Sequence, residues 1–365
     1  MAIPEKMTAV LLTGHGGFEM LDYRSDVPVP TPREGEVLIK VGAAGINNTD
    51  INTRIAWYSK SVTTDTNAGG EGGFSEAQDE DGSWSGIPLE FPRIQGADCC
   101  GEVVAVGSGV SEDRVGERVM VRTIQIPDPD EAFKCITWGS ECDGGFAQYA
   151  IAKSSDALSV NSSLSDVELA SFPCAYSTAE GMLQRASLGA EKVLITGASG
   201  GVGSAAVQLA KIRGATVIGI CSKSKQADVL ELGADQVIDR NQNILDVIEK
   251  DSIDLVVDLV AGPGWPSLLE VLKTGGRYVT AGAIGGPLVE LDVRTLYLKD
   301  LTFFGCTYQP QGVFEDLVSY IEKGQLKPVV SKSYPLKEIV QAQEDFLSKQ
   351  HTGKLVLVPP SEDES

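Results

Sequence analysis

Two periodicities divide the chain. Up to about residue 160, apolar and β-branched residues come in short runs, at 7–13, 37–43, 102–106, 118–122 and 146–152, separated by Gly, Pro and Asp. Short runs between turn residues predict strands, and several at close spacing predict an all-β unit curled into a partly open barrel. From about residue 165 the pattern lengthens. Apolar runs at 192–196, 216–221, 236–238, 254–260, 277–281 and 301–305 alternate with helical patterns at 203–212, 225–232, 244–250 and 266–272. Strand and helix in alternation predict a doubly wound parallel sheet, because parallel strands need crossover connections and helices supply them. Helical runs at 313–323 and 336–348 follow, then a last strand at 354–358 that is expected to return to the N-terminal β unit. Segment 59–90 breaks both patterns. It holds six glycines and seven carboxylates against one lysine, a composition that predicts a long surface excursion rather than a packed element. Trp84 within it is either an anchor over a pocket or a residue that pins the segment down.

Composition narrows the class. A chain of 365 residues accommodates two domains, and 30 basic against 51 acidic side chains leave a net charge of −21. Such a field repels phosphate backbones and anionic lipid, so no nucleic acid and no membrane surface is expected as partner. No run approaches the ~18 apolar residues of a spanning helix, and MAIPEKMTAV lacks a signal-peptide pattern, so a cytoplasmic protein is expected. Seven cysteines, an odd number at irregular spacing, read as reduced thiols, and only two histidines, His15 and His351, are available beside them. No metal site is expected from so thin a ligand supply.

The chemistry begins after the run at 192–196. The chain reads Gly197-Ala198-Ser199-Gly200-Gly201-Val202-Gly203 and continues into the amphipathic SAAVQLAKI. A glycine-rich turn between a buried strand and a helix N-terminus offers unblocked N–H groups and a favourable dipole to a pyrophosphate. Against G-x-G-x-x-G the first position is Ala198 and the other two are Gly200 and Gly203. At the end of the next strand, where an acidic residue would hold a ribose 2′-hydroxyl, stand Ser222-Lys223-Ser224-Lys225, with Arg240 closing the third strand. Hydroxyls and cations there predict a 2′-phosphate, and so NADPH; the alternative is that the lysines are ordinary surface residues. Gly282, Ala283 and Ile284 follow the fifth strand at the sheet's carboxyl edge, where a nicotinamide is expected.

The two-part order, the ASGGVGSAAVQLAK run and the N-terminal GINNTD resemble the medium-chain dehydrogenase/reductase superfamily, and within it the zinc-free quinone oxidoreductase branch. The resemblance implies a GroES-like β domain at 1–162 and 307–365, with 59–90 as an acidic insertion, and a Rossmann dinucleotide-binding domain at 163–306. It also shows where this chain departs from zinc alcohol dehydrogenases. Their Cys-His-Thr/Ser-Asp run is Asn47-Asn48-Thr49-Asp50 here, their Gly-His-Glu run is Gly96-Ala97-Asp98, and Cys174 alone falls where a ligand would lie. One ligand of three does not hold a catalytic zinc. By the same resemblance Asn47 is a candidate donor in the quinone reductase pattern G-[IL]-N-x-x-D, Tyr58 matches a tyrosine that lines the substrate pocket, Thr178 a threonine against the nicotinamide and Thr49 the hydroxyl of the alcohol dehydrogenase proton relay, while Lys354 matches a late glycine-lysine pair, here taken as a cofactor contact. Asp50 and Asp98 have a structural alternative, as acceptors of backbone N–H groups, and Tyr58 has one as a packing residue.

Without a metal, hydride transfer to a simple carbonyl lacks its main charge stabiliser, whereas a quinone or conjugated carbonyl spreads the developing charge so that hydrogen-bond donors suffice. An NADPH-dependent reductase of quinones or α,β-unsaturated carbonyl compounds is therefore expected, acting on a small molecule and, by resemblance, as a homodimer. Two alternatives remain open at this stage: a zinc-free alcohol or carbonyl reductase, and an NADPH-binding protein without turnover.

Overall fold

The computed structural model describes residues 3–77, 81–131 and 133–361. The chain forms two compact units, one of Met1–Val62, Asn67–Cys174 and Phe314–Ser365, the other of Thr63–Thr66 and Ala175–Val313.

The first unit is mostly β. Its larger sheet runs in the order Ala157–Ser159, Arg118–Val121, Cys100–Val106, Glu36–Gly45, Lys354–Val358, Val330–Pro335, with Tyr149–Lys153 also pairing Glu36–Gly45. The long strand Glu36–Gly45 organises the unit. Alternation along it sends Val37, Ile39 and Val41 into one core with Val103 and Trp138, and Leu38 into another with Val10 and Phe146. Its register slips between Leu38 and Ile39 and between Val41 and Ala43; such bulges bend a strand and curl its sheet. The far end, Ala44 and Gly45, takes Leu357 and Val356 of the last strand as partners, so the chain's end comes back to its beginning.

Segment 59–90 differs from the excursion its composition predicts. It carries no long element, yet Val62, Thr66, Gly69, Gly70, Gly82 and Ser83 are buried and Trp84 is half-buried; residues 78–80 lie outside the described ones. One tether is Arg54, wholly out of solvent. Its guanidinium donates to Gly70 O at 2.7 Å, to Gly16 O at 2.9 Å and to Gln343 Oε1 at 2.9 Å, and stacks over Phe18. A buried cation must have its donors satisfied, and the segment supplies one of the acceptors.

The second unit holds a six-stranded parallel sheet in the order Gln236–Asp239, Thr216–Cys221, Lys192–Ile195, Ile253–Asp258, Leu272–Thr280, Thr302–Gly305. Helices Gly201–Ile212, Gln226–Glu231 and Trp265–Val271 connect its strands. The strand order reverses between Lys192–Ile195 and Ile253–Asp258, the point at which such sheets bind ligands beyond their carboxyl ends. The helix expected at 244–250 is one 3-10 turn, Ile244–Asp246. Val247 and Ile248 are β-branched, which weakens a helix, and Asp251 in left-handed conformation (φ 56°) turns the chain into the next strand.

Candidate active site

In the first unit, the polar residues gather where Glu36–Gly45 ends and helix Asn48–Arg54 begins. Asp50 lies in the helix's first turn and accepts the Asn47 N–H at 2.8 Å, closing that turn; its other oxygen accepts Gly96 and Ala97 N–H, each at 3.2 Å. Burial pushes this carboxyl up to about 7, and the Asn47 N–H opposes the rise. Asp98 is the second centre. Its Oδ1 accepts Cys174 N–H at 2.6 Å, and its Oδ2 accepts Asn47 Nδ2 and the Lys354 ammonium, both at 2.8 Å. Both carboxylates thus bind backbone N–H groups, their structural alternative.

Lys354 has a different task from the nucleotide contact expected of it. Its ammonium donates to Asp98, to Ile46 O at 2.8 Å and to Asn47 Oδ1. Three donors meet three acceptors, so none is left for a cofactor. Asn47 is likewise engaged: its amide nitrogen faces Asp98 and, at 3.4 Å, Gly45 O. Asn47 is held inside the network and has no amide hydrogen to offer a substrate oxyanion.

The three positions that resemble catalytic-zinc ligands do not fit a divalent metal. Asn47 already accepts from a lysine, Ala97 has no side-chain donor atom, and Cys174 is left as a single thiol, whose ionisation burial and the Asp98 carboxylate disfavour. A metal wants the thiolate. Among the described residues no three His, Cys, Asp or Glu side chains gather as ligands.

Two hydroxyls stand beside this network. Tyr58 donates to Thr49 Oγ1 at 3.2 Å, and both residues are half-buried. Thr49 lies on helix Asn48–Arg54, and Tyr58 follows the left-handed Ala56 that ends it. Burial pushes the phenol up to about 12, against opposing hydrogen bonds from Thr49 and Asn52. Tyr58 is therefore a neutral donor across the physiological range.

In the second unit, the turn 197–203 has the form a pyrophosphate requires. Gly197 is left-handed (φ 60°), Gly200 precedes helix Gly201–Ile212 as its cap, and a Cβ on Gly203 would run into Gly197 O. Ala198 is buried and Val202 half-buried against the turn. Ser222 caps the 3-10 turn Lys223–Lys225. Burial lowers the Lys225 ammonium and the nearby Arg240 charge lowers it further; two cations drawn together are a receptor for a polyanion. The turn and the cations fit a dinucleotide. Gly282, Ala283 and Ile284 follow strand Leu272–Thr280, with Gly285 N–H bonded to Val260 O at 2.8 Å. Thr178, half-buried on helix Pro173–Arg185, belongs to this unit, whereas Asn47, Thr49, Tyr58 and Lys354 belong to the other.

Residues 33–162 match the alcohol dehydrogenase GroES-like domain family, and residues 201–323 match the zinc-binding dehydrogenase family. The quinone oxidoreductase of Homo sapiens is 30% identical over 374 residues, covering 98% of this chain and all of that protein. The chain belongs to the medium-chain dehydrogenase/reductase superfamily, in its quinone oxidoreductase-like group. Two further similar proteins carry other names. Acryloyl-coenzyme A reductase of Metallosphaera sedula is 29% identical, covering 96% of this chain and 99% of that protein. A solved chain from Sinorhizobium meliloti 1021, provisionally named an alcohol dehydrogenase, is 45% identical, with a TM-score of 0.87 and 98% of each chain covered. The present chain is an oxidoreductase of this type, and its family depends on a nicotinamide nucleotide. Among the described residues no helix is long and apolar enough to cross a membrane.

Motif reasoning singled out neither Asn52, which adjoins Tyr58, nor Asp258. The second had a signal: a carboxylate inside the apolar run DLVVDLV, where a polar residue needs a reason.

Proposed function

We propose that the chain is an NADPH-dependent reductase of quinones or of C=C bonds conjugated to a carbonyl, working without a metal. The observation that carries this reading is the Tyr58–Thr49 hydroxyl pair, 3.2 Å apart, beside residues that do not make a metal site. Bound NADPH supplies a hydride. Its arrival on a conjugated acceptor leaves negative charge spread over several atoms, which a hydrogen-bond donor stabilises. With Tyr58 donating to Thr49, the Thr49 hydroxyl hydrogen is the pair's remaining donor, and the phenol behind it, still protonated, supports it. The names of the human and Metallosphaera relatives specify a quinone and an acryloyl thioester, which share the conjugated feature. Lys225 and Arg240 support the choice of NADPH over NADH, since Ser222–Lys225 offers no carboxylate for a 2′-hydroxyl.

The same reading includes a homodimer. Thr302–Gly305 is an edge strand of the parallel sheet, and beside it in sequence Leu288, Val293, Tyr297 and Leu298 are 59–68% exposed. An open edge with large apolar side chains next to it suits pairing with a second copy about a two-fold axis. Seven free cysteines support a reducing, cytoplasmic setting.

The test follows reduced-nicotinamide consumption with a panel of quinones and enones, with and without chelator. Turnover of conjugated acceptors that survives the chelator is the expected result. Oxidation of simple alcohols alone, as the Sinorhizobium relative's name suggests, or loss of activity with loss of stoichiometric zinc, would overturn it.

A further inference from the structure

Asp258 ends strand Ile253–Asp258 and is wholly buried, and no lysine, arginine or histidine pairs with it among the described residues. It is held by neutral donors instead. Its Oδ1 accepts Thr196 Oγ1–H at 2.6 Å and Val260 N–H at 3.0 Å; its Oδ2 accepts Tyr278 Oη–H at 2.7 Å; Ala261 N–H reaches both oxygens at 3.2 Å. Thr196 in turn accepts Leu259 N–H at 2.9 Å.

These donors come from three places that matter to a dinucleotide. Thr196 is the last residue before the left-handed Gly197 that opens the pyrophosphate turn. Val260 and Ala261 form the loop after the strand; Ala261 has φ 54°, an unfavourable conformation for a residue with a Cβ. Tyr278 lies on the next strand, four residues before the loop at Gly282, and its ring is fixed by Trp265 and Phe303. The loop is packed on both sides: Val260 lies against Gly197, Val260 O accepts Gly285 N–H, and a Cβ on Gly262 would run into Gly285 O. A single carboxylate therefore joins the turn expected to hold the pyrophosphate to the loop expected to hold the nicotinamide.

We propose that Asp258 is a positioning residue for the cofactor: it fixes the spacing between the 197–203 turn and the 282–285 loop, and so the placement of the nicotinamide relative to the phosphates. A buried carboxyl group bound by neutral donors has a definite geometry, since each donor must point at it or lose its partner. The proposal rests on the dinucleotide-binding reading above, and it needs no particular hydride acceptor.

Asp258→Asn keeps the shape but turns one oxygen into a donor facing the Tyr278 hydroxyl or the Ala261 N–H. The experiment compares two ligands on the full-length chain: NADPH, and 2′-phospho-ADP-ribose, which lacks the nicotinamide. In folded Asp258→Asn, confirmed by circular dichroism, NADPH is expected to bind about ten-fold more weakly, while 2′-phospho-ADP-ribose keeps its wild-type affinity. Tyr278→Phe removes one donor and should shift the same ratio by less. Equal weakening of both ligands would show a merely structural carboxylate, and unchanged binding of both would show no role; either overturns the proposal. Wild-type protein that binds neither ligand would overturn the dinucleotide reading itself. Wild type that binds NADPH without reducing any acceptor would overturn only the reductase reading and leave this comparison intact.

Discussion

The Lys354 ammonium lies 2.8 Å from Asp98 Oδ2, with 3% and 0% of the two side chains exposed. Desolvation of a pair this deep offsets much of its attraction, but removing one partner leaves the other charge buried and unmatched. Lys354→Met should therefore lower stability by about 3–5 kcal/mol in denaturant unfolding. Because the ammonium's donors are all engaged within its own unit, the part of the variant that remains folded should bind NADPH with wild-type affinity. A loss of NADPH affinity with unchanged stability would return Lys354 to the cofactor.

The hydroxyl pair gives a kinetic prediction. Tyr58→Phe removes the phenol that supports Thr49 and should lower kcat and kcat/KM together, by up to about 10²-fold, the loss expected for a whole oxyanion donor. Thr49→Val should do at least as much, since Thr49 holds the pair's outward hydrogen. NADPH affinity should stay unchanged in both. Full turnover of a quinone and an enone by Tyr58→Phe would make Tyr58 a packing residue.

The pH dependence follows from the same phenol. Its pKa is raised, to about 12, so the neutral donor persists above the usual tyrosine range near ~10. The logarithm of kcat should show no falling limb from this group up to roughly pH 10–11, and any limb above that should vanish in Tyr58→Phe. A limb near pH 10 or below that disappears in the variant would contradict the raised value. The sign for stability is the same: a buried neutral phenol contributes fully below its unfolded pKa and loses that contribution as pH rises through its folded one.

The proposed preference for NADPH rests on charge. If Lys225 and Arg240 hold the 2′-phosphate, replacing both with Ala would remove charge-assisted hydrogen bonds worth roughly 1.5–3 kcal/mol each before screening. NADPH affinity should fall about ten-fold or more, NADH affinity should hold, and the gap should narrow as salt rises. Parallel losses for both nucleotides would show that these residues do not read the 2′-phosphate.

For the edge strand the readout is mass in solution. Tyr297→Asp with Leu298→Asp places two charges on an apolar face, and light scattering should show the dimer giving way to a monomer. A wild-type monomer would overturn the proposed dimer, and an unchanged dimer in the double variant would move its interface elsewhere.

How far these features could be read from the chain depended on the range of the forces that create them. The turn 197–203 and its helix were legible because strand, glycines and amphipathic period are adjacent in sequence. Helix Asn48–Arg54 was not: NTDINTR has no apolar stripe, and the helix is held by Asp50 reaching 96–97 and by Arg54 reaching Gln343. Pattern also misread 244–250, where apolar spacing suited a helix but β-branched residues and a left-handed Asp251 stopped one. The role of Lys354 was hidden for a similar reason. Its partner Asn47 is 307 residues away, and no local pattern tells a lysine that enters a sheet core from one that faces solvent.

The guanidinium of Arg54 also sets where the acidic segment tolerates change in length. The segment is latched at Gly70, close to its start, through one buried donor shared with Gly16 and Gln343. Between that latch and the buried Gly82 and Ser83 its tethers are on the surface, such as Lys60 N–H to Asp81 and Ser61 Oγ to Glu76 O, which contribute little individually. Residues added or removed around 75–77 would leave the latch closed, whereas a deletion through Gly70 would strand a charge in the core. The exposed stretch around 75–77 is thus free to diverge between related chains, or to receive a grafted peptide, whereas Gly70 and the buried Gly82 and Ser83 are not.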